Sequence, residues 1–466
     1  MNKIYKYFLH KINFLGLSLP LLILFSCKSE QINKPENSKP NIVLFVADDL
    51  GWNDVGFHGS EIRTPNIDKL AETGVELNQF YVYPTCSPTR ASLLTGKYAS
   101  RFGIGGPIAM KSTQVLPTDV KTLPGILRTN GYETAITGKW HLGLRLENGP
   151  KYYGFDYTYG YLHGQIDQYT HKYKNGDRTW HRNGEFIEEE GHATDLITKE
   201  AIKYISEIRD KEKPFLLYVP YSVPHYPLQE ENKWIEPYKN LNDVESRKVY
   251  AASAEHMDYS IGKIIKSIES EGEINNTIII FISDNGGQEN WDPQKETADN
   301  LYEGRHGPYP KLGGNSPLKG YKTDLFDGGI RVPAIVNWKG KLNKSKIEHL
   351  IKITDLFPTL VSTVGITLPN INFDGNNVWD IISGNDNKDN HRQLYLRTSD
   401  KFTLIKGDWK LLHFGKTILE GYNELYNIKS DPYETKNVIT DFPDKKNELL
   451  NLLKIEIKED SIQLNK

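Results

Sequence analysis

The sequence predicts an α/β fold: a mixed, mostly parallel β-sheet sandwiched by helices, followed by a smaller C-terminal domain of antiparallel sheet plus helix. Two runs of nearly pure β-forming residues, 41–47 and 277–283, are typical of strands buried on both faces of a parallel sheet. Amphipathic helical segments such as residues 194–208 separate runs of this kind, which is the pattern of α/β proteins. The pattern changes near the C-terminus to short alternating strands and a closing helix, at residues 394–397, 402–406, 409–413 and 441–457.

The N-terminal segment is typical of a targeting sequence. Residues 1–26 are basic and then apolar, and the apolar part is too short for a comfortable membrane span. They lead into Leu-Phe-Ser-Cys27, which resembles a bacterial lipobox. We therefore expect a lipoprotein-type signal peptide, a tether, a catalytic domain and a C-terminal subdomain, at residues 1–26, 27–39, 40–375 and 376–466.

This N-terminus predicts an exported, outer-membrane-anchored lipoprotein that faces the periplasm or the cell surface and contacts the membrane only through the lipid on Cys27. A plain secretory signal cut nearby is the alternative. The net charge is −3, and near −6 without residues 1–26, which argues against a nucleic-acid partner. Cys86 is the only other cysteine. With Cys27 lipidated or removed, Cys86 is a lone cysteine in an oxidising compartment, which indicates a special role.

Asp48 and Asp49 directly follow the first buried run. Open α/β sheets place their ligands at the carboxyl ends of strands. Two adjacent carboxylates repel each other, and a hard divalent cation is the simplest remedy. An exposed acidic turn is the alternative interpretation.

Cys86 begins the stretch Cys-Ser-Pro-Thr-Arg-Ala-Ser-Leu-Leu-Thr-Gly. Ser87 and Pro88 are residue types that open helices, which places Cys86 at a helix N-terminus. Arg90 lies one turn further along the same face. We expect these two features to lower the pKa of the Cys86 thiol. The alternative is a small buried cysteine near a surface arginine.

Cationic and imidazole side chains follow two further predicted strands. Lys139 and His141 come after the strand over residues 133–137 and suit an anion clamp. His225 follows the strand over residues 214–219 and lies between prolines, which suits a fixed proton donor. A surface lysine and satisfied core histidines are the alternatives.

Asp284 and Asn285 follow the last long buried run and match the first acidic turn in kind, so the two turns could share one cation. Lys319 lies in a later loop, where a solvated lysine is the ordinary interpretation. Lysine and arginine side chains around such a cation suit a tetrahedral oxyanion.

The pattern Cys86-x-Pro-x-Arg90, followed by Ala-Ser-Leu-Leu-Thr-Gly, resembles the signature of the type I sulfatases. The resemblance extends from residue 40 to about residue 437, and the run over residues 48–60 is most similar to the arylsulfatase B, or N-acetylgalactosamine-4-sulfatase, branch. It implies an alkaline-phosphatase-like sheet. It also implies that Cys86 is oxidised to formylglycine by a formylglycine-generating or anaerobic sulfatase-maturating enzyme.

The resemblance further implies a role for each candidate residue. One calcium ion would be held by Asp48, Asp49, modified Cys86, Asp284 and Asn285. The formylglycine hydrate would attack sulfur, and Arg90 would steady it. Sulfate would be bound by Lys139, His225 and Lys319. His225 would also donate a proton to the leaving alcohol, and His141 would help the hydrate to collapse.

The sequence therefore predicts a sulfuric ester hydrolase that removes sulfate from a carbohydrate, such as ulvan, another algal glycan or a glycosaminoglycan. One rival is a phosphatase or phosphonate hydrolase of the alkaline phosphatase group, which typically uses two transition metals. The other is a lipoprotein that binds sulfated glycans without catalysis, which would apply if Cys86 is never oxidised.

Overall fold

The run Asn41–Ala47 forms the central strand of a large sheet, as its unbroken apolar sequence predicts. Its side chains alternate between two hydrophobic cores. Leu44 and Val46 pack into the core on one face of the sheet, and Val43 and Phe45 pack into the core on the other. Burial on both faces explains why the run shows no polar alternation. The computed structural model describes residues 39–110, 112–292, 307–367, 371–385 and 392–464.

The predicted signal peptide, the lipidated Cys27 and the predicted tether up to residue 38 lie outside the described residues. The export and lipid-anchor interpretations therefore stay predictions. Within the described ranges, no helix combines the length and the hydropathy that a bilayer span requires.

Ten of the described strands form one sheet in the order β10-β2-β9-β8-β1-β7-β3-β4-β5-β6. Strand β1 lies between β7 and β8 and is parallel to both, β3 is parallel to β7, and β9 is antiparallel to its neighbours. The predicted mixed, mostly parallel sheet is confirmed. The strands are β1 (Asn41–Ala47), β2 (Val75–Tyr81), β3 (Glu133–Lys139), β4 (Tyr157–Tyr161), β5 (Trp180–Arg182), β6 (Glu185–Phe186), β7 (Phe215–Pro220), β8 (Thr277–Ser283), β9 (Ala334–Trp338), β10 (Ser345–Lys352), β11 (Gln393–Arg397), β12 (Lys401–Lys406), β13 (Trp409–Phe414) and β14 (Tyr422–Asn427).

Helices cover both faces of this sheet, as predicted. Leu93, Leu127 and Leu360 bring three helices into one core, and Ile197 and Ile261 bring two into the other. The described helices are α1 (Pro65–Thr73), α2 (Cys86–Thr95), α3 (Leu123–Thr129), α4 (Ala193–Lys203), α5 (Asn232–Ile235), α6 (Glu245–Ser270), α7 (Asp327–Ile330), α8 (Leu356–Thr363), α9 (Trp379–Ile382) and α10 (Pro443–Leu464).

The C-terminal sheet is antiparallel in the order β11-β12-β13-β14, and α10 follows it, as predicted. Leu404 of this sheet and Leu449 of α10 belong to the same hydrophobic cluster as Leu93 of the large sheet's layer. Arg101 also donates to Asp460 of α10 at 2.7 Å. The two sheets therefore share one core, and the boundary between residues 375 and 376 stays a prediction.

The structure differs from the prediction in several strands and in the end of one helix. Residues 152–191, which the sequence predicts as long loops, contain β4, β5 and β6. Strand β14 is also not predicted, because its mixed polar sequence forms a strand only by pairing with β13. The predicted helix over residues 194–208 keeps α-helical geometry only to Lys203 and ends in a wider helical turn, Tyr204–Ile208. Short strands depend on their neighbours more than on their own residues.

Candidate active site

Neighbouring strands in the middle of the large sheet end at one edge. Strand β1 delivers Asp48 and Asp49 there, β8 delivers Asp284 and Asn285, and β3 ends with Lys139. The two acidic turns are in contact, since the side-chain amide of Asn285 donates to Asp49 Oδ1 at 2.8 Å. The carboxyl edge of the sheet therefore gathers the predicted polar residues, as expected for an open α/β sheet.

Cys86 is the first residue of α2 and lies beside His141. Its Sγ is 3.2 Å from His141 Nδ1, and the residue is 2% exposed. His141 Nε2 is 3.1 Å from the carbonyl oxygen of Ile108, so Nε2 carries the proton and Nδ1 presents a lone pair to residue 86. Burial, Lys139 and Arg90 lower the pKa of His141 well below its ordinary value. A neutral imidazole can therefore accept a proton from residue 86.

The predicted low pKa of the Cys86 thiol is wrong. Burial raises the pKa of this thiol above its ordinary value, although Lys139 opposes the change. Arg90 does not act on the sulfur alone, because its guanidinium donates to Asp284 Oδ2 at 2.6 and 3.1 Å and to the carbonyl oxygen of Lys139 at 3.1 Å. As an unmodified thiol, Cys86 forms little of the reactive thiolate.

Two lysines pair with the acids of the first turn. Lys139 Nζ donates to Asp48 Oδ2 at 2.6 Å, and both side chains are fully buried. Lys322 Nζ donates to Asp49 Oδ2 at 2.7 Å, and the side chain of Lys322 is 9% exposed. Burial raises the pKa of Asp48 to about 7 against the effect of Lys139, with Asp284 and Asp49 adding to the rise. Against burial, Lys322 and His225 lower the pKa of Asp49 to about 2.

The structure contradicts the prediction that Lys319 lies in the oxyanion pocket. Lys319 is exposed, and its Nζ lies 3.3 Å from the Tyr426 hydroxyl and 3.1 Å from the carbonyl oxygen of Glu434, in the C-terminal subdomain. Lys322 reaches the pocket instead. The backbone between them turns at Gly320, whose φ of 85° lies in the left-handed region that favours glycine.

The acidic turns fit a divalent cation. Asp48 Oδ1 and Asn285 Oδ1 are buried and have no hydrogen-bond partner within the described part of the chain. Asp48, Asp49 and His225 each place one potential ligand atom within 4.8 Å of the others. Buried polar atoms without partners are costly, and oxygen donors from carboxylates and an amide are typical ligands of a hard cation. With Asp284 beside them, the residues present fit a divalent metal site.

His225 follows β7 and faces the first acidic turn. Its Nε2 lies 3.7 Å from Asp49 Oδ2, and its Nδ1 lies 2.5 Å from the carbonyl oxygen of Tyr226, so Nδ1 carries the proton. Burial and Lys322 lower the pKa of His225 well below its ordinary value, although Asp49 opposes them. The ring is therefore neutral, and the lone pair of Nε2 is directed towards the acidic turn.

These groups open into a cavity of about 540 Å³. Cys86, His141, His225 and Lys322 line it together with aromatic and amide side chains such as those of Tyr173 and Gln288. A cavity of this size accepts an organic group larger than a bare anion. The arrangement can bind an oxyanion beside residue 86 and hold the rest of the molecule against a polar and aromatic wall.

Outside this cavity, a second cluster combines two histidines with a carboxylate. His192, Glu230 and His256 also place ligand atoms within 4.8 Å of one another. His192 Nδ1 accepts the backbone N–H of Thr194 at 3.2 Å and so caps α4, which leaves Nε2 to donate to the carbonyl oxygen of Gln229 at 2.8 Å. Neither nitrogen of His192 keeps a free lone pair for a metal.

His256 completes this second cluster as a cation. Its Nδ1 lies 2.9 Å from Glu230 Oε2, and its Nε2 lies 3.3 Å from Asp195 Oδ1. Although burial opposes it, hydrogen bonds to Asp195 and Glu230 raise the pKa of His256 to about 9. The cluster is therefore a buried ion-pair network that ties α6 to α4 and to the segment after β7. No sequence motif marks this cluster, because its residues lie on elements far apart in the chain.

Comparison with known proteins agrees with this geometry. The Sulfatase family model matches residues 40–366, and the model described as N-sulphoglucosamine sulphohydrolase, C-terminal, matches residues 321–463. The chain is 36% identical to mouse arylsulfatase J over 382 residues, which cover 77% of this chain and 59% of that protein. It is 33% identical to mouse N-acetylgalactosamine-6-sulfatase over 352 residues, which cover 71% of this chain and 63% of that protein.

A solved structure is similar over nearly the whole length of both chains. The crystal structure of Ps i-CgsB in complex with k-i-k-neocarrahexaose has a TM-score of 0.80 and 30% identity, with 92% of this chain and 94% of that chain covered. The closer resemblance to arylsulfatase B stays a prediction. From the match of the family model and from these relatives, the chain belongs to the sulfatase family.

Proposed function

We propose that the protein hydrolyses sulfate esters of a carbohydrate, with residue 86 as the nucleophile after oxidation of Cys86 to formylglycine. The observation that carries this proposal is the convergence of Lys322, His141 and His225 on the cavity that contains residue 86. Lysine ammonium groups offset the negative charge of sulfate oxygens. The neutral imidazoles supply the sites at which protons are accepted or donated.

The proposed oxidation of Cys86 would replace a poor nucleophile with a better one. Burial keeps Cys86 protonated, so the residue as encoded is a poor nucleophile. An aldehyde hydrate at this position supplies a hydroxyl that can attack sulfur, and its second hydroxyl lets the bond to sulfate break without another attack at sulfur. Conversion requires a maturation enzyme of the formylglycine-generating or anaerobic sulfatase-maturating kind.

We further propose that the divalent cation is a single calcium ion. Three carboxylates and an amide form the hard oxygen donor set that calcium prefers. When bound, the ion would supply positive charge to the sulfate oxygens. It would be held by Asp48, Asp49, residue 86, Asp284 and Asn285.

Each histidine has a distinct task in this scheme. His141 Nδ1, 3.2 Å from Cys86 Sγ, is placed to take the proton of a hydroxyl at residue 86. His225 is neutral in the resting protein, and an anionic sulfate beside its Nε2 would favour protonation. A protonated His225 would then donate to the leaving alcohol. Arg90 fixes Asp284, and its predicted contact with the hydrate remains part of the proposal.

A sulfated galactan oligosaccharide is the substrate class that we propose first. Ps i-CgsB, which this chain matches over 94% of its length, was solved with a neocarrahexaose. Glycosaminoglycans come second, because the match to N-acetylgalactosamine-6-sulfatase covers only 63% of that protein. Ulvan stays open as a third candidate. A panel of defined carrageenan, chondroitin and ulvan oligosaccharides, with released sulfate as the readout, separates the three.

Mass spectrometry of the peptide that contains residue 86 tests the mechanism. We expect formylglycine at this position in protein purified from a host with a maturation enzyme, and we expect Cys86→Ala to abolish sulfate release while the melting temperature stays close to that of the unsubstituted protein. Sulfate release that survives Cys86→Ala would contradict the mechanism. An unmodified cysteine in the native host would favour the non-catalytic glycan-binding protein.

Metal analysis distinguishes the proposed sulfatase from the alternative, a phosphatase or phosphonate hydrolase. One calcium per chain supports the proposal, whereas two transition-metal ions per chain would support the rival.

For localisation, we propose an exported lipoprotein anchored by Cys27 in the outer membrane. The Cys27→Ser variant should then leave the membrane fraction while its activity stays unchanged.

A further inference from the structure

Lys322 lies on a short segment that bridges the two halves of the active site. Its backbone N–H donates to the carbonyl oxygen of Gly287 at 3.1 Å, just beyond the second acidic turn. The N–H of Thr323 donates to the carbonyl oxygen of Pro84 at 2.9 Å, just before α2. Thr323 has a φ of 78°, which a β-branched residue adopts only when its surroundings hold it there.

A lysine of the C-terminal sheet forms hydrogen bonds that restrain the backbone beside Lys322. Lys401, the first residue of β12, donates to the carbonyl oxygen of Thr323 at 3.3 Å and to Asp324 Oδ1 at 3.4 Å. Its side chain is 24% exposed. Lys401 therefore contacts Thr323, the residue that follows Lys322 and has the left-handed conformation.

A buried ion triad holds the other end of the segment. Lys410 of β13 contacts Asp327 Oδ1 at 2.8 Å and Glu434 Oε1 at 2.7 Å. Glu434 Oε2 also accepts the backbone N–H of Asp327 at 2.7 Å. None of these three side chains is more than 2% exposed. Removal of one partner from an ionic contact buried this deeply is strongly destabilising, because the partner left alone would be an uncompensated charge.

We propose that Lys401 and the Lys410–Glu434 pair are positioning residues for Lys322. Lys401 attaches the segment of residues 319–327 to the C-terminal sheet at Thr323 and Asp324, and the Lys410–Glu434 pair attaches it at Asp327. These contacts set where the Lys322 ammonium lies relative to Asp49. The C-terminal sheet thereby determines how strongly the cavity binds sulfate. This inference rests on the proposed function in one respect, namely that Lys322 contacts the sulfate group.

The first test compares Lys401→Met with Lys406→Met, in calcium-containing buffer. Both lysines lie on β12, both are partly exposed, and Lys406 pairs with Glu448 at 3.5 Å, away from the segment. We expect Lys401→Met to raise KM and the Kd for inorganic sulfate by roughly 3- to 10-fold, with a smaller change in kcat, because loss of uniform binding raises KM. Lys406→Met should leave both constants unchanged. Equal effects of the two variants would overturn the proposal.

A double-mutant cycle shows whether Lys401 acts through Lys322. In a Lys322→Met background, Lys401→Met should have no further effect on sulfate affinity, because the group that it positions is gone. Effects that multiply in the double variant would overturn the inference. Glu434→Gln provides a second cycle that keeps an acceptor for the Asp327 N–H, whereas Lys410→Met would leave two buried carboxylates without a counter-ion.

The two proposals fail in different ways. Sulfate affinity is measured by thermal shift on protein with unmodified Cys86, so the cycle does not depend on turnover. If the unsubstituted protein binds sulfate but its formylglycine-containing form hydrolyses no ester, the proposed function fails and the cycle still decides this inference. If it hydrolyses esters while the effects of the two substitutions multiply, only this inference fails. If it neither binds nor hydrolyses, both are overturned.

Discussion

Two buried clusters of histidine and carboxylate side chains occur in the described part of the protein, and of these two the cluster at the edge of the large sheet suits a metal ion. Both clusters bring their ligand atoms within 4.8 Å. At the edge of the large sheet, Asp48 Oδ1 has no hydrogen-bond partner in the described ranges, and the neighbouring His225 and Lys322 line a cavity. In the other cluster, Glu230 Oε1 also lacks a hydrogen-bond partner in the described ranges, but both nitrogens of His192 are used and His256 is charged between two carboxylates. Spare lone pairs beside a cavity distinguish a ligand site from a structural cluster.

His225 and His256 differ in charge because their neighbours differ. Burial lowers the pKa of any histidine, and the neighbours decide whether that effect wins. Lys322 adds to burial at His225, which stays neutral, whereas Glu230 and Asp195 overcome burial at His256. Neutral imidazoles can take part in proton transfer, and a fixed imidazolium can hold elements together.

Substitution of an acid in each cluster gives the largest expected contrast. Asp49→Ala removes the partner of Lys322 and one predicted metal ligand, so we expect kcat/KM to fall by about 10²–10³-fold or more. Glu230→Gln should leave kcat/KM within about threefold of the unsubstituted value, since the second cluster touches no substrate in our scheme. Steady-state kinetics on a sulfated oligosaccharide measures both. A large loss of activity in Glu230→Gln at an unchanged melting temperature would break the comparison.

A finer contrast lies within the active-site region. Lys322→Met should raise KM by about 10- to 100-fold, in line with the loss of a charge-assisted contact to sulfate. Lys319→Met is the matched control, three residues away and pointing to the C-terminal sheet. It should change KM by no more than the modest amount that follows from a small shift of the shared segment. Equal losses from the two substitutions would restore the role that the sequence predicts for Lys319.

Removal of divalent cations should affect the first cluster alone. Chelation should abolish activity and lower the melting temperature by about 3–6 °C, because a bound ion at 100 times its Kd contributes about 2.7 kcal/mol of stability. Calcium should restore both. The shift should be the same in His256→Gln as in the unsubstituted protein and absent in Asp48→Asn. A chelation shift that His256→Gln abolishes would show a metal in the second cluster.

The second cluster predicts a smaller, pH-dependent effect. The pKa of His256 is raised from 6.5 to about 9 in the folded protein, so its contribution to stability is fully present below pH 6.5 and is lost as pH rises through 9. The stability difference between the unsubstituted protein and His256→Gln should therefore shrink by about 3 kcal/mol between pH 6 and pH 10. Chemical denaturation at several pH values measures it. A difference that is independent of pH would contradict the charged state of His256.

Much of the site could be predicted from the sequence because its residues lie next to strongly patterned elements. Runs such as Asn41–Ala47 indicate buried strands, and the polar residues that end them must share an edge of the sheet. Cys86 is placed at the start of a helix by the residues that follow it. The predicted thiol pKa was wrong because burial is not visible in a local motif and outweighs the nearby positive charges.

The sequence by itself determined the central strands of the large sheet, which polar residues follow them, and the family to which the signature at Cys86 points. These properties depend on periodicity and capping over a few neighbouring residues. Only the tertiary structure decided that Lys322 rather than Lys319 enters the cavity, that His256 is charged, and that the C-terminal sheet holds the Lys322 segment. Loop conformation, burial and counter-ions are set by residues tens to hundreds of positions apart, so they exist only once the chain has folded.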